Sequence, residues 1–231
     1  MNLSEFLLKR RNWQLSQKQF HERCYTCRRS KPLCYCHLIK SFQSEPQFVI
    51  LIHPVEFRRR VATGRMAHLC LNNSIMIDAA SFGENTKLQG ILNNPDHHCV
   101  VLYPGENSVN LSPLSVGERW ELFPKDKKLV IIVIDGTWNT ASGMMRSCEK
   151  LNNLPRVCFS PRQASRFRIR KQPKDFCLST IEAIHECIDL LNVQASSAHD
   201  HLLEVFDRVI DWHIELNAKA KSTATQKILL K

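Results

Sequence analysis

Short apolar runs recur along the chain, and most of them stop at a proline, a glycine or an aspartate. They are rich in β-branched residues and too short to be amphipathic helices, which is typical of strands buried on both faces of a sheet. The runs cover 48–52, 74–78, 99–103, 129–134 and 156–159.

Helical patterns separate or follow these runs. We predict helices over 64–71, 138–151, 179–192 and 199–221. Thr63 and Thr137 precede the first two and are suitable N-cap residues. Strands that alternate with helices predict an α/β fold, with a mostly parallel sheet that carries helices on both faces.

The pattern also indicates where the chain divides. Glu45-Pro46 marks a boundary, because a residue before proline is disfavoured in a helix. We therefore predict an N-terminal helix and a cysteine-rich arm over 1–45, and a catalytic domain over 46–231. A chain of 231 residues is long enough for one such domain with a small appendage.

Composition is ordinary for a globular protein, with 43% hydrophobic and 23% charged residues. No apolar run approaches the length of a membrane span, and the first residues do not have the charge order of a secretory signal. We expect a cytoplasmic protein with no membrane association, and no protein partner is indicated.

Charge is distributed unevenly around a net value of +10. One basic run lies between Arg162 and Lys174, whereas 180–217 is acidic. Such polarisation favours a polyanionic partner, nucleic acid first, over a merely solvated surface. The predicted phosphate contacts are Arg58, Arg59, Arg60, Arg65, Arg162, Arg166, Arg168, Arg170 and Lys171.

Four cysteines fall within thirteen residues as a Cys-x-x-Cys pair and a Cys-x-Cys pair: Cys24, Cys27, Cys34 and Cys36. Four thiolates can surround one tetrahedral ion, and zinc suits this set. A site closed by four sulfurs indicates a structural role. The alternative is that these cysteines are free or linked by disulfides, which a reducing compartment disfavours.

Ligands of parallel α/β sheets bind beyond the carboxyl ends of the strands, so the residues after each apolar run are candidates for chemistry. Asp135 follows the longest run, and Trp138 lies three residues later. The carboxylate can accept a proton, and the indole can stack on a base. An aspartate turn beside a core tryptophan is the alternative. The chain has 7 glycines and no phosphate-binding glycine motif.

Asp135-Gly-Thr-Trp138 resembles the Asp-x-Thr-Trp signature of the DTW-domain family. The resemblance extends from about Cys24 to His185 and includes both cysteine pairs. Its other motifs are His53-Pro-Val-Glu56, Thr63-Gly-Arg65, Leu102-Tyr-Pro-Gly105, Ser165-Arg-Phe-Arg-Ile-Arg-Lys-Gln-Pro173 and Leu178-Ser-Thr-Ile-Glu-Ala183.

The resemblance implies a fold similar to the SPOUT class, with a C-terminal trefoil knot. The implied activity moves the 3-amino-3-carboxypropyl group of S-adenosylmethionine to N3 of a tRNA uridine and releases 5′-methylthioadenosine. Asp135 is the candidate for removing the N3 proton. The implied co-substrate contacts are Tyr103, Pro104, Gly105, Gly136, Thr137, Trp138, Leu178, Ser179 and Thr180.

Several alternatives stay open at this point. The alternative role for Ser179 or Thr180 is a helix cap, with Glu182 completing a capping box. His53 and Glu56 are weaker catalytic candidates, and His53 is better suited to structuring its loop. Two other functions are compatible with many of the same sequence features. One is a SPOUT-type RNA methyltransferase, and the other is a non-enzymatic zinc-knuckle protein that binds RNA.

Overall fold

The computed structural model describes residues 5, 23–59, 61–79, 81–170, 177–192 and 196–229, with the backbone alone for 219–229. The chain divides into two compact units, Met1–Ile39 and Lys40–Lys231. The predicted N-terminal helix lies outside the described residues. The predicted division at 45/46 stays a prediction.

The described part of the first unit is a short cysteine-rich segment. Two 3-10 helices, Lys31–Leu33 and Cys36–Leu38, follow a turn in which the Cys24 amide donates to the Arg29 carbonyl at 2.7 Å. Such a segment holds little apolar surface, so its cysteines are the evident means of fixing its shape.

The second unit is built on a parallel sheet of six strands within the described residues. Their order in the sheet is β2-β1-β5-β3-β6-β4, and every pair is parallel. The strands are β1 Gln47–Ile52, β2 Ile75–Asp78, β3 His97–Leu102, β4 Ser108–Asn110, β5 Lys128–Asp135 and β6 Arg156–Cys158.

Helices connect these strands and end the chain. In chain order they are α1 Pro54–Phe57, α2 Thr63–Cys70, α3 Thr86–Leu92, α4 Val116–Glu121, α5 Trp138–Arg146, α6 Glu149–Asn152, α7 Thr180–Leu191 and α8 Asp200–Leu229.

The sheet is covered by helices on both faces, as predicted. Successive strand residues point to opposite faces. On one face Val49, Val101 and Ile132 join a buried cluster with side chains of α3, α5 and α6. On the other face lie α2, α7 and α8, which contact one another and bury their apolar stripes. Both faces of the central strands are therefore dry.

The five strands predicted from apolar runs are confirmed, whereas β4 was not predicted. Thr137 caps α5, since its side chain accepts from the Thr140 amide. The prediction for Thr63 was wrong, because Thr63 is the first residue of α2 and Ala62 is its N-cap. The helix predicted over 138–151 ends at Arg146 and resumes at Glu149. The trefoil knot stays a prediction.

Candidate active site

The carboxyl ends of β1 and β5, two neighbouring strands inside the sheet, lie side by side. Ile52 of β1 is in register with Asp135 of β5, and the His53 amide donates to the Asp135 carbonyl at 3.1 Å. His53 also caps α1, because its Nδ1 accepts from the Val55 amide at 3.2 Å. This gives His53 the structuring role that its position before a proline favours.

Asp135 is buried, with 5% of its surface exposed. The Thr180 hydroxyl, from the first turn of α7, donates to Oδ1 at 2.5 Å. The second carboxylate oxygen, Oδ2, is buried without a hydrogen-bond partner of normal geometry among the described residues. Burying an acceptor without a partner is costly and rare, so this oxygen has unused capacity to bind a ligand or a proton.

Gly64 allows the first turn of α2 to lie against this carboxylate. A Cβ atom at this position would be 2.5 Å from Asp135 Oδ2, well inside van der Waals contact. The Gly64 amide also faces the carboxylate and favours its ionised form. The glycine of the Thr63-Gly-Arg65 motif is thus required by a close approach of two elements.

Burial raises the pKa of Asp135 to about 6. The hydrogen bond from Thr180 opposes this shift, and the negative charge of Glu56 reinforces it. Glu56 is itself 5% exposed, and one of its carboxylate oxygens is buried without a partner among the described residues. Its other oxygen contacts Arg59 Nε at 2.7 Å. The site thus contains two neighbouring buried carboxylates, and one of them titrates close to neutrality.

A cavity of about 480 Å³, which we call the polar cavity because most of its lining residues are polar, opens beside Asp135. It is formed by the carboxyl end of β5 and by the first turns of α2, α5 and α7. Arg170, from the basic run that begins at Arg162, completes it. Its lining residues are Thr63, Asp135, Gly136, Thr137, Trp138, Asn139, Arg170, Leu178, Ser179 and Thr180.

A smaller and more apolar cavity of about 210 Å³ shares a wall with the first. Gly136, Trp138, Leu178 and Thr180 line both cavities. The remaining lining comes from the ends of β3, β5 and β6 and from two helices: Leu102, Tyr103, Pro104, Val133, Ile134, Ala141, Cys158, Phe159, Pro161 and Ala183.

Trp138 stands between the two cavities with 45% of its surface exposed. Its ring lies 6.3 Å from the Tyr103 ring, and its indole N–H donates to Cys177 Sγ at 3.2 Å. An exposed indole with its N–H already paired presents an aromatic face to a ligand. Trp138 is therefore not a core tryptophan.

The structure brings together all but one of the residues predicted to contact the co-substrate. Gly105 lines neither cavity. Ser179 is also the N-cap residue of α7 and forms the predicted capping box with Glu182, whose carboxylate accepts from the Ser179 amide and, in addition, from its hydroxyl. The space beside Gly136 is too small for a side chain, because a Cβ atom there would be 2.6 Å from the Thr140 hydroxyl oxygen.

Some contributors to the site were not predicted from the sequence. Thr63 and Asn139 line the polar cavity, and Arg170, predicted as a phosphate contact, lines it as well. Thr63 is the first residue of a motif named above and Asn139 directly follows another, so their positions in the sequence were an available signal. The contact of Gly64 with Asp135 had no such signal, because it depends on how α2 packs.

The predicted phosphate contacts occupy different environments. Arg58 is exposed, whereas Arg65 is buried at 5% exposure with its guanidinium 3.8 Å from the centre of the Phe57 ring. Arg60 and Lys171 lie outside the described residues. Three arginines of the basic run between Arg162 and Lys174 pair with acidic residues of α7 and α8. The pairs are Arg162 with Glu186 and Asp189, Arg166 with Asp207 and Arg168 with Asp211.

The four predicted metal ligands form a cluster within the first unit. Their Sγ atoms all lie within 4.8 Å of one another, and the Cys24–Cys36 and Cys27–Cys34 separations are both 3.7 Å. Sulfurs held at 2.3 Å in a tetrahedron are about 3.8 Å apart. The cluster fits a metal ion and is too widely spaced for disulfides, and all four cysteines are free.

Within the described part of the chain, no helix combines the length and the apolar character needed to cross a membrane.

The fold and site define an α/β protein with a polar cavity at the carboxyl edge of a parallel sheet, built around an Asp-Gly-Thr-Trp segment. The sequence model of the DTW domain matches residues 21–213. The chain belongs to the DTW domain family.

Three curated relatives are similar to most of this chain. It is 30% identical over 178 residues to tRNA-uridine aminocarboxypropyltransferase 2 of Drosophila melanogaster, over 73% of this chain and 66% of the relative. It is 27% identical to the Mus musculus protein of the same name, over 73% and 56%. It is 23% identical to tRNA-uridine aminocarboxypropyltransferase A of Arabidopsis thaliana, over 84% and 82%.

The match thus covers less than two thirds of the two animal relatives. No solved structure matches the chain significantly.

Proposed function

We propose that this protein transfers the 3-amino-3-carboxypropyl group of S-adenosylmethionine to N3 of a uridine in tRNA, with release of 5′-methylthioadenosine. Family membership and the names of the relatives support the reaction class. The observation that carries the proposal is a buried carboxylate, with a pKa raised to about 6, at the edge of a cavity bounded by Trp138.

Asp135 is the proposed general base. The N3–H group of uracil is a weak acid, so N3 is a poor nucleophile until its proton leaves. A base with a pKa near 6 accepts a proton more readily than an ordinary aspartate and is still mostly ionised at pH 7. The hydrogen bond from Thr180 occupies Oδ1, which leaves Oδ2 with capacity for the proton.

The bonding changes balance without another reactant. The N3 proton moves to Asp135 and the N3 electron pair attacks the γ-carbon of the methionine moiety. The bond from that carbon to sulfur breaks, and its electrons neutralise the sulfonium as 5′-methylthioadenosine leaves. Because the leaving group is already activated, placing N3 in line with the γ-carbon is the main requirement. Such orientation can lower a barrier by several kcal/mol.

The two cavities are suited to different parts of S-adenosylmethionine. The apolar cavity, with Tyr103, Pro104 and Phe159, fits the adenine ring. The polar cavity fits the methionine end, since Arg170 can pair with its carboxylate and Asp135 lies near the reacting group. The shared wall at Trp138 and Thr180 then lies beside the sulfonium, between the two ends.

We also propose that exposed basic residues outside the cavity bind the tRNA backbone. Arg58 is such a residue, and it does not line the cavity. Binding of this kind releases counterions and weakens as salt rises. The arginines that pair with α7 and α8 would have to exchange a carboxylate for a phosphate, so they contribute less than free cations would.

The cysteine cluster of the first unit is proposed to hold zinc. Four thiolates at tetrahedral separations match a closed structural site, in which the ion supplies folding energy to a small segment. Cys34→Ser should lose this ion, as elemental analysis of the purified variant would show.

The activity is tested with unmodified tRNA, S-adenosylmethionine and the purified chain. Mass spectrometry of the digested nucleosides should show uridine carrying a 3-amino-3-carboxypropyl group, and the small-molecule fraction should contain methylthioadenosine. Adenosylhomocysteine with methylated uridine would instead identify a methyltransferase. Cofactor-independent tRNA binding with no product would identify a binding protein. Ser142→Ala, at a half-buried position of α5 that lines neither cavity, is a control for handling and folding.

A further inference from the structure

A second group of metal-ligating side chains lies where α7 meets the start of α8. It consists of His185, His199 and Asp200, whose ligating atoms all lie within 4.8 Å of one another. We call it the His-His-Asp cluster. It contains none of the residues that line the two cavities at Asp135.

The two imidazoles direct the same ring atom towards carboxylates. His185 Nε2 lies 3.0 Å from Asp200 Oδ1. His199 Nε2 lies 4.0 Å from that same oxygen and 3.2 Å from Asp189 Oδ1. The ring centres are 4.8 Å apart. Nitrogen and oxygen ligands around a tetrahedral zinc are about 3.3 Å apart, so the cluster is near a ligand shell already.

Burial fixes the geometry of the cluster. His199 is 4% exposed, and the His185 side chain is also largely enclosed. Asp200 is more exposed, as the first residue of α8. Two histidine nitrogens fixed by packing, with one adjustable carboxylate, are a favourable starting arrangement for a divalent transition metal.

Asp189 supplies an outer shell. Its Oδ2 is paired with Arg162, and its Oδ1 faces His199. A carboxylate held in this way orients a ligand histidine and can also approach the metal. Beside the cluster lies a cavity of about 320 Å³, which His185, Asp189 and Asp200 line together with Arg162 and Arg166. The cavity has room for a water molecule as a further ligand.

We propose that His185, His199 and Asp200 bind a zinc ion, separate from the cysteine cluster, that joins α7 to the start of α8. Zinc is chosen because two imidazoles and one carboxylate match its ligand preference. The simpler account is that the same side chains form metal-free His–Asp hydrogen bonds that stabilise the helix junction. The two accounts predict different metal contents.

The first experiment counts zinc in the intact chain after equilibration with excess ZnCl₂ and removal of loosely bound ion. The wild-type chain should retain two zinc ions. The double variant His185→Gln/His199→Gln should retain only one, because glutamine keeps an N–H donor for the carboxylates but is a poor zinc ligand. Cys34→Ser should also lose one ion, from the other site. His201→Gln, next to the cluster but outside it, should retain both.

A second experiment does not depend on the variants folding well. Co²⁺ added to a wild-type chain that carries a single equivalent of zinc, which fills the four-thiolate site first, should give visible d–d bands without thiolate charge-transfer absorption. The double glutamine variant should lack these bands. A wild-type chain that retains a single zinc and gives no cobalt spectrum would overturn the proposal, as would a second zinc that survives in a folded double variant.

Discussion

Two carboxylates near the two ends of α7, Asp135 beside Thr180 and Asp189 in the last turn, lie in opposite electrostatic environments. Asp135 is buried beside another carboxylate, and burial raises its pKa to about 6. For Asp189 burial acts in the same direction, but Arg162 and His199 outweigh it, and the pKa falls below its ordinary value. Asp135 has a carboxylate oxygen without a hydrogen-bond partner among the described residues, whereas both oxygens of Asp189 have cationic or hydrogen-bonding partners.

The carboxylate of Asp135 is available to bind a ligand, whereas the charge of Asp189 is already neutralised by neighbouring side chains. One carboxylate oxygen of Asp135 has no partner among the described residues, whereas Glu186 and Asp207 pair with arginines. A group kept under-satisfied at a cost in stability is a strong candidate for function. The arginine pairs are stabilising at most modestly, because exposed ion pairs contribute little.

The largest expected effect is on catalysis by Asp135. Asp135→Asn keeps the shape and one acceptor but loses the base, so the single-turnover rate at saturating S-adenosylmethionine should fall by about 10²–10⁴-fold. The rate should recover partly as pH rises, because hydroxide then ionises uracil without help. The measurement is the single-turnover rate against pH, with co-substrate affinity determined in parallel.

Two results would revise the role of Asp135. A fall in co-substrate affinity that matches the fall in rate, without recovery at high pH, would make Asp135 an anchor for the co-substrate. A rate near that of the wild type at neutral pH would exclude both roles.

The same substitution should stabilise the folded chain. The pKa of Asp135 is about 6 in the fold and 3.8 ordinarily, so between these values the folded state binds more protons than the unfolded state. The free energy of unfolding of the wild type therefore falls as pH rises through this window. Asp135→Asn should be more stable by on the order of 1–3 kcal/mol at pH 7.

Urea unfolding at pH 4 and pH 7 checks this prediction. The stabilisation should be largely lost at pH 4, because the wild-type carboxyl is then protonated in the fold and close to its titration midpoint in the unfolded chain. A variant that is destabilised at pH 7 would show that the carboxylate, although buried, is well satisfied in the fold.

Gly64→Ala tests the close approach of α2 to Asp135. The added methyl would lie 2.5 Å from Oδ2, so either α2 or the carboxylate must shift, at a cost of roughly 1–3 kcal/mol. Gly143→Ala is the matched control, since nothing lies within 4 Å of its Cβ position in α5, and it should stabilise by about 0.5–1 kcal/mol. Thermal unfolding and single-turnover rates of both variants provide the comparison.

If Gly64→Ala left both stability and rate unchanged, the packing of α2 against the carboxylate would not be needed for the site.

Local pattern was enough to predict much of the fold and part of the site. The central strands are evident because both of their faces are buried, which produces continuous apolar runs. The strand at Ser108–Asn110 has no such run, and its side chains are largely exposed, so only its backbone pairing with β6 reveals it. Asp135 and Trp138 are in one motif, but the partner hydroxyl of Thr180 is 45 residues away.

Charge was the property that the sequence described least well. The basic run from Arg162 and the acidic stretch from residue 180 suggest a polarised molecule. In the fold the two segments pair instead, because Arg162, Arg166 and Arg168 reach acids on α7 and α8. Such pairing depends on tertiary packing between segments up to 43 residues apart, which no local count of charges contains.

The smallest expected effect concerns these pairs and tRNA. If Asp207 and Asp211 compete with phosphates for Arg166 and Arg168, then Asp207→Asn and Asp211→Asn should each strengthen tRNA binding slightly. The expected gain is below about 1 kcal/mol per site, as for other exposed ion pairs. Removing a competing charge should also steepen the dependence of log affinity on log salt, because each freed arginine then releases a counterion.

The opposite result has its own structural meaning. If the acids instead hold the arginines in the orientation that phosphates require, the same variants should weaken binding and flatten the salt dependence. Asp126→Asn, in the loop before β5 and outside these pairs, controls for the general effect of removing one negative charge. Filter-binding affinities of all three variants over a salt series distinguish competition from positioning, because only competition makes the two pair-forming variants exceed this control.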